Sequence, residues 1–226
     1  MANYDSYRKS VFDCIQALVA GGYVQGTGGN VSLLVEGEEA VAVTPSQKEY
    51  VGMTPDDICV VRFDLTPVID NGLNPSMETP MHISVYKNRR DVGAVVHTHQ
   101  IFASVFSVIN TPIPPLFDEV SASIGNTVEV VPYALSGSPQ LLENVTSRLG
   151  NRANCYLLQN HGALSLGADL AAAHRNAELL EKCARVYYYA LSTGREVAVL
   201  PPDIQNLMDV LVTHKQDEAV KRRGEF

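Results

Sequence analysis

The chain has no apolar run of bilayer-spanning length, only four cysteines in 226 residues, and a single basic cluster, Lys221-Arg222-Arg223, at its end. Each shortage excludes something. A membrane helix needs about 20 consecutive apolar residues, and the polar opening from Met1 to Ser10 lacks a signal-peptide core. Lysine and arginine number 17 against 25 acids, a formal net charge of −8, so a nucleic-acid partner is a poor fit. Cys14, Cys59, Cys155 and Cys183 are widely spaced in apolar segments. Buried thiols in a reduced, cytoplasmic protein are the simpler reading than disulfides or a zinc ribbon. The glycine cluster near residue 28 is followed by no Gly-Lys-Ser/Thr and follows a helical pattern, which removes the P-loop and the dinucleotide fingerprint. No internal repeat is present. The 46% hydrophobic content suffices for a core, and the length predicts one domain over 1–226 with a frayed tail at 217–226.

Histidine is also scarce, at six residues, and three of them occupy matching places. Val92-Gly93-Ala94-Val95-Val96-His97-Thr98-His99 reads as a buried strand ending in two histidines. Strand side chains alternate, so His97 and His99 point the same way and form a pre-spaced ligand pair. Cys155 to Gln159 is another apolar strand, read as central in the sheet, and it runs into Asn160-His161-Gly162. Glu78 opens a helix just before the first of these strands. Three histidines and a carboxylate can close a zinc site, or leave one position open to substrate.

Taken in order, residues Tyr4 to Ala20 carry helical spacing, stopped by Gly21-Gly22. Gly26-Thr27-Gly28-Gly29-Asn30-Val31-Ser32 is either a plain turn or a loop whose amides approach a ligand. Val31 to Val35 and Ala40 to Thr44 read as a hairpin, Thr54 to Asp57 as a one-turn helix, and Ile58 to Phe63 as a strand. Residues 64–75 read as loop. Ser76 is the expected N-cap of a helix to about Arg89; on it Glu78 is either a dipole partner or a reactive group, and His82 is read as a packing histidine. A helix from Gln100 to Val108 follows. An extended segment from Ile113 to Glu119 carries Asp118 and Glu119. A strand from Thr127 to Pro132, a helix from Ser138 to Leu149, a long helix from Ala168 to Thr193 and a short one over Met208–Val212 complete the pattern. Irregular alternation favours a mixed sheet flanked by helices.

Five motifs, Gly26-Thr27-Gly28-Gly29-Asn30-Val31-Ser32, Thr44-Pro45-Ser46, Ser76-x-Glu78, His97-x-His99 and Asn160-His161-Gly162, together resemble the class II aldolase/adducin family. The resemblance runs from about residue 5 to about 200. Its enzymes include fuculose-phosphate aldolase and ribulose-phosphate 4-epimerase, while the adducin-like assembly modules typically lack the histidines. It implies a three-layer α/β/α fold around a mixed, mainly antiparallel sheet. It implies a divalent metal, most often Zn2+ with Mn2+, Co2+ or Fe2+ as alternatives, held by His97, His99 and His161. Glu78 would be the acid/base and touch the metal when substrate is absent. A C4 homotetramer with active sites at subunit interfaces is implied as well. The matching substrate-binding positions are Gly28, Asn30, Ser46, Gln47, Ser76 and Met77.

Two of those positions depart from the family pattern. Gln47 stands where the phosphate turn usually has glycine, and Met77 replaces a second serine. Methionine cannot donate to a phosphate. Asp118 stands near where the fuculose-phosphate enzyme carries a catalytic tyrosine, with Glu119 next to it, and either acid is a candidate second acid/base. The expected activity is a metal-dependent carbon–carbon lyase of aldolase type acting through a metal-stabilised enediolate on a small hydroxy- or oxo-compound, non-phosphorylated and with an aromatic one allowed. Decarboxylation of an oxo acid or catechol carboxylate, sugar-phosphate epimerisation and a non-enzymatic assembly role are the alternatives.

Overall fold

The computed structural model describes residues 4–223. Eight strands form one sheet: β1 (Asn30–Leu34), β2 (Ala40–Val43), β3 (Cys59–Arg62), β4 (Pro67–Ile69), β5 (Ala94–Thr98), β6 (Val130–Val131), β7 (Cys155–Leu158) and β8 (Gly162–Gly167). Their order is β4-β3-β2-β1-β5-β8-β7-β6. Every pairing is antiparallel except β6 with β7. The expected mixed, mainly antiparallel α/β architecture is therefore the observed one.

Burial on both faces explains why the strands read as apolar runs rather than alternating ones. Val41 and Val43 face one core while Ala40 and Ala42 face another. Tyr156 and Leu158 likewise face the first core, and Cys155 and Leu157 a third. Each fully buried Val or Leu stabilises by about 1.5–3 kcal/mol, so a one-residue slip in register would lose both faces at once. α2 (Thr79–Asn88) and α5 (Pro139–Thr146) cover one face. α1 (Tyr4–Ala20), α3 (Ile101–Val108), α4 (Asp118–Ile124) and α6 (Leu170–Ser192) pack on the other. α7 (Pro202–Arg223) lies against α4. α1 stops where Gly22 adopts φ +75° and Tyr23 N–H closes back on Leu18 O at 2.9 Å, a left-handed cap that suits glycine.

Several expectations need correction. The loop read over 64–75 contains β4, an edge strand opened by Pro67, which proline at an edge allows. β7 is one strand in from the edge, not central. β8 was not anticipated, because only four residues, Ala163 to Leu166, stand between its terminal glycines. Asp118 and Glu119 do not lie in an extended segment. They form the first turn of α4, where the helix dipole favours acids. α2 begins at Thr79, with Glu78 as N-cap residue; Ser76 makes the preceding turn, its Oγ accepting from Glu78 N–H. The short helix expected at Met208–Val212 is a 22-residue helix. It buries only Met208, Val212, Gln216 and Ala219, too sparse a stripe to read. Residues 217–223, expected to fray, are helical and tied by Arg152 to Asp217 at 2.8 Å and by Arg223 to Arg90 O at 3.0 Å; 224–226 lie outside the described residues. All four cysteines are buried and unbridged, and burial pushes each thiol up, that of Cys155 to about 12. No described helix is long and apolar enough to cross a membrane.

Candidate metal centre

β5 delivers His97 at its end and His99 just past it. The tight turn between β7 and β8, with Asn160 at φ +54° and His161 N–H on Leu158 O, delivers His161. Strand alternation puts His97 on the face covered by α2, and so opposite Glu78. His97 Nε2 lies 3.0 Å from His99 Nε2 and 3.2 Å from His161 Nε2. For ligands 2.0–2.1 Å from zinc the edge of a tetrahedron is about 3.3 Å, so the spacing fits one ion. His97 Nδ1 lies 2.9 Å from Ala163 O. Donation there places the ring proton on Nδ1 and leaves the Nε2 lone pair free, the arrangement that a backbone carbonyl behind the ring gives a ligating histidine. The donor set is three imidazole nitrogens beside a carboxylate, which suits a borderline divalent ion.

Burial, with help from the neighbouring imidazoles, pushes His99 down to about 3 and His161 down to about 4, against the opposing pull of Glu78. Both rings are thus neutral and ready to ligate near pH 7. Glu78 is buried, which raises its pKa. The adjacent His97 and His161 rings, with hydrogen bonds from Asn30 and Ser136, outweigh that and hold it at about 2. Its Oε2 is 3.2 Å from His97 Nε2 and its Oε1 3.4 Å from His161 Nε2. Asn30 Nδ2 donates to Oε2 at 2.8 Å and Ser136 Oγ to Oε1 at 2.9 Å. Ser136 was not found from the sequence. It sits in an irregular loop before Gly137 and α5, and no motif marks it.

Folded-state histidine pKa values below the unfolded 6.5 have a consequence for stability. His82 is also pushed down, to about 3, by burial. Between about pH 6.5 and pH 4 the unfolded chain binds these protons and the folded chain does not, so stability is complete above that window and falls as pH drops. Wholly buried His82 contributes up to about 1.4 kcal/mol per pH unit, and His99, which is exposed to solvent, contributes less because water screens it. Glu78, lowered from 4.5 to about 2, adds a loss of the same sign that begins at about pH 4.5 and grows below it. Urea midpoints of ion-free protein should therefore fall steeply from pH 6.5 to pH 5; a flat profile would show that the rings protonate in place.

The glycines serve the rings. A Cβ on Gly28 would stand 2.9 Å from His99 Nδ1, and one on Gly162 2.6 Å from His99 Cδ2. Only glycine leaves the His99 ring its slot, so the loop expected to approach a ligand closely approaches His99. Asn30 pairs with His97 across β1 and β5.

The two remaining turns meet beside the centre: Pro45 bridges Pro75, Ser46 N–H donates to Asn74 O, and Ser76 N–H to Thr44 O. Ser46, Gln47, Ser76 and Met77 are thus neighbouring. Gln47 takes φ +58°, keeping the backbone shape a glycine would give at a cost of roughly 1 kcal/mol. Lys48 is paired with Asp57 at 2.5 Å. Met77 is 60% exposed. An apolar cavity of about 210 Å³ opens beside Met77 and Glu78, walled by Pro80, Met81, Pro139 and Leu142. Asp118 and Glu119 are exposed on α4, with Glu119 paired to Lys182. Within this chain neither contacts the histidines or Glu78.

Comparison with known proteins agrees with this geometry. The model of the "Class II Aldolase and Adducin N-terminal domain" matches residues 9–188. A 5-deoxy-D-ribulose 1-phosphate aldolase of Bacillus thuringiensis is 33% identical over 191 residues, 84% of this chain and 88% of its own. An L-fuculose phosphate aldolase of Escherichia coli is 33% identical over 192 residues, 85% of this chain and 87% of its own. Among solved structures, an L-fuculose 1-phosphate aldolase superposes with TM-score 0.83 at 29% identity, covering 91% of this chain and 95% of that one. The Escherichia coli protein YgbL, described as a candidate aldolase/epimerase/decarboxylase, gives 0.80 at 25% identity over 91% and 98%. On sequence and architecture alike, the chain belongs to the class II aldolase/adducin family and is an aldolase-type lyase.

Proposed function

We propose that the chain is a divalent-metal-dependent lyase that cleaves a carbon–carbon bond next to a carbonyl in a small hydroxy-oxo compound. The observation that carries this reading is the convergence of His97, His99 and His161 with an ionised, buried Glu78. His97, His99 and His161 would hold the ion, most often Zn2+ in such a nitrogen set, with Glu78 at its edge. A divalent ion there supplies Lewis-acid stabilisation of negative charge on substrate oxygen as the bond breaks. The protein's own part is proton handling and orientation. Glu78, held ionised by Asn30 and Ser136, accepts the hydroxyl proton in cleavage and returns a proton to the carbon next to the carbonyl. Its near-complete burial keeps water from competing for that carbon. Decarboxylation of an oxo acid develops the same charge and is the second reading, favoured by the likeness to YgbL.

The relatives' names specify sugar phosphates. For this chain the far end of the substrate would lie against Gly28, Asn30, Ser46, Gln47, Ser76 and Met77. Lys48 is committed to Asp57, Met77 offers no donor, and the adjacent cavity is apolar. These support a non-phosphorylated substrate with an apolar substituent. Aldehyde release from matched phosphorylated and non-phosphorylated ketoses, with carbon dioxide followed in parallel, tests both points. A hundredfold preference for the phosphorylated member, about 2.7 kcal/mol, rejects the second.

Asp118 and Glu119 remain proposed as a second acid/base on sequence grounds alone. D118N or E119Q should then lower kcat by ~10²-fold; turnover equal to the parent in both variants removes the role. Exposed Ile101 and Val108 on α3 and Ile109 just past it, beside exposed Tyr188 and Tyr189 on α6, support a homo-oligomer, which the family resemblance makes a C4 tetramer, since an apolar patch of this kind favours self-association.

A further inference from the structure

Behind Glu78 lies a second set of buried polar side chains that the proposed reaction does not use. Asn30 and Ser32 are two apart on β1 and project to one side. Glu78 and His82 are four apart at the start of α2 and stack one above the other. The result is two rungs. Asn30 Nδ2 donates to Glu78 Oε2 at 2.8 Å, and Ser32 Oγ lies 2.8 Å from His82 Nδ1. Ser32 Oγ also lies 2.6 Å from the Tyr86 hydroxyl, one turn further along α2. Among the described residues these are the side-chain hydrogen bonds that join α2 to β1.

Packing alone does not account for the second rung. Ser32 and His82 are wholly buried. A leucine or phenylalanine at 82 would fill the space without desolvating an imidazole. His82 Nε2 and Asn30 Oδ1, on adjacent rungs, have no partner in the protein, and such orphans cost about 1–3 kcal/mol each. A partly satisfied polar ladder at that expense needs a return. Its position supplies one. Glu78 is the N-cap residue of α2, and its carbonyl accepts from Met81 N–H at 3.0 Å and His82 N–H at 3.3 Å. The backbone carrying the reactive carboxylate is therefore as well placed as the turn it opens, and β1 holds that turn through Ser32.

We propose that His82, acting through Ser32, is a positioning residue that fixes the first turn of α2 on β1 and thereby the Glu78 carboxylate relative to the three histidines. This rests on the lyase reading above. A misplacement of about 1 Å costs ~10²-fold in an oriented reaction. H82L and S32A should each lower kcat ~10- to 100-fold while KM stays within threefold and the bound ion is retained. Because the pair works as one unit, the double variant should be no slower than H82L. H82N, whose amide reaches the place of Nδ1, should recover most of kcat.

The experiment pairs kinetics and ion content with crystal structures of the parent and H82L. The expected result is the kcat loss together with a carboxylate moved off Asn30. If H82L fails to fold, S32A and Y86F, which remove only hydroxyls, decide the same question. An H82L or S32A protein with parental kcat and an unmoved carboxylate, differing only in melting temperature, overturns the proposal. A parent without turnover rejects the lyase reading instead, and the carboxylate position in the H82L structure then decides this one.

Discussion

H97A should lose the bound ion and the activity together, with turnover down by ~10³-fold or more, the equivalent of several kcal/mol of lost charge stabilisation. His97 is the hub of the cluster. Its Nε2 lies 3.0 Å from that of His99, 3.2 Å from that of His161 and 3.2 Å from Glu78 Oε2. It is fully buried, and the Ala163 carbonyl orients its ring. His99 and His161, left with only the Glu78 carboxylate beside them, bind a divalent ion far more weakly, and no further described histidine or cysteine joins the group. Metal analysis of the purified variant checks this, with circular dichroism to confirm the fold. Full ion occupancy in H97A would sink the ligand assignment.

The second large effect belongs to Glu78. E78Q should cut turnover by ~10²–10⁴-fold and leave the fold intact. The reason is geometric. Glutamine is isosteric with glutamate, its amide oxygen can accept from Asn30 Nδ2, and its amide nitrogen can donate to Ser136 Oγ, replacing both bonds the carboxylate makes. What is lost is the capacity to take a proton. If Glu78 were only a partner of the α2 dipole, the substitution would cost under about 1 kcal/mol of stability and turnover would stay within a factor of two. Steady-state kinetics beside a urea titration separates the two outcomes.

The histidine pair was legible because strand alternation allows one geometry for His97 and His99. The glutamate was legible because it opens a helix directly before their strand. His161 was legible from its matching place, where a second apolar strand runs into histidine and glycine. Ser136 escaped because it lies in irregular backbone, where nothing in the residue spacing says which way a hydroxyl points. His82 was read as a packing histidine from its place on the α2 face, and only the partners of Nδ1 and the solitude of Nε2 give it another role. In the fold, the apolar strands β1, β2, β3, β5 and β7 and the cleanly amphipathic helices α1 and α6 were readable within a residue or two. β8 and α7 were not. One has only Ala163-Leu164-Ser165-Leu166 between its glycines, too short a run to read, and the other keeps most of its faces wet.

The most direct measurement is a strip-and-reload titration of the parent protein. The ion is removed with a chelator, Zn2+ is returned in steps, and aldehyde release from a small hydroxy-ketone series is followed against bound ion per chain. Activity should vanish on stripping and return linearly to a break at about one ion per chain, the stoichiometry of a single three-histidine site. Turnover that survives complete removal of the ion, or a fully loaded protein that cleaves none of the series and releases no carbon dioxide from oxo acids, would contradict the assignment of a metal-dependent carbon–carbon lyase.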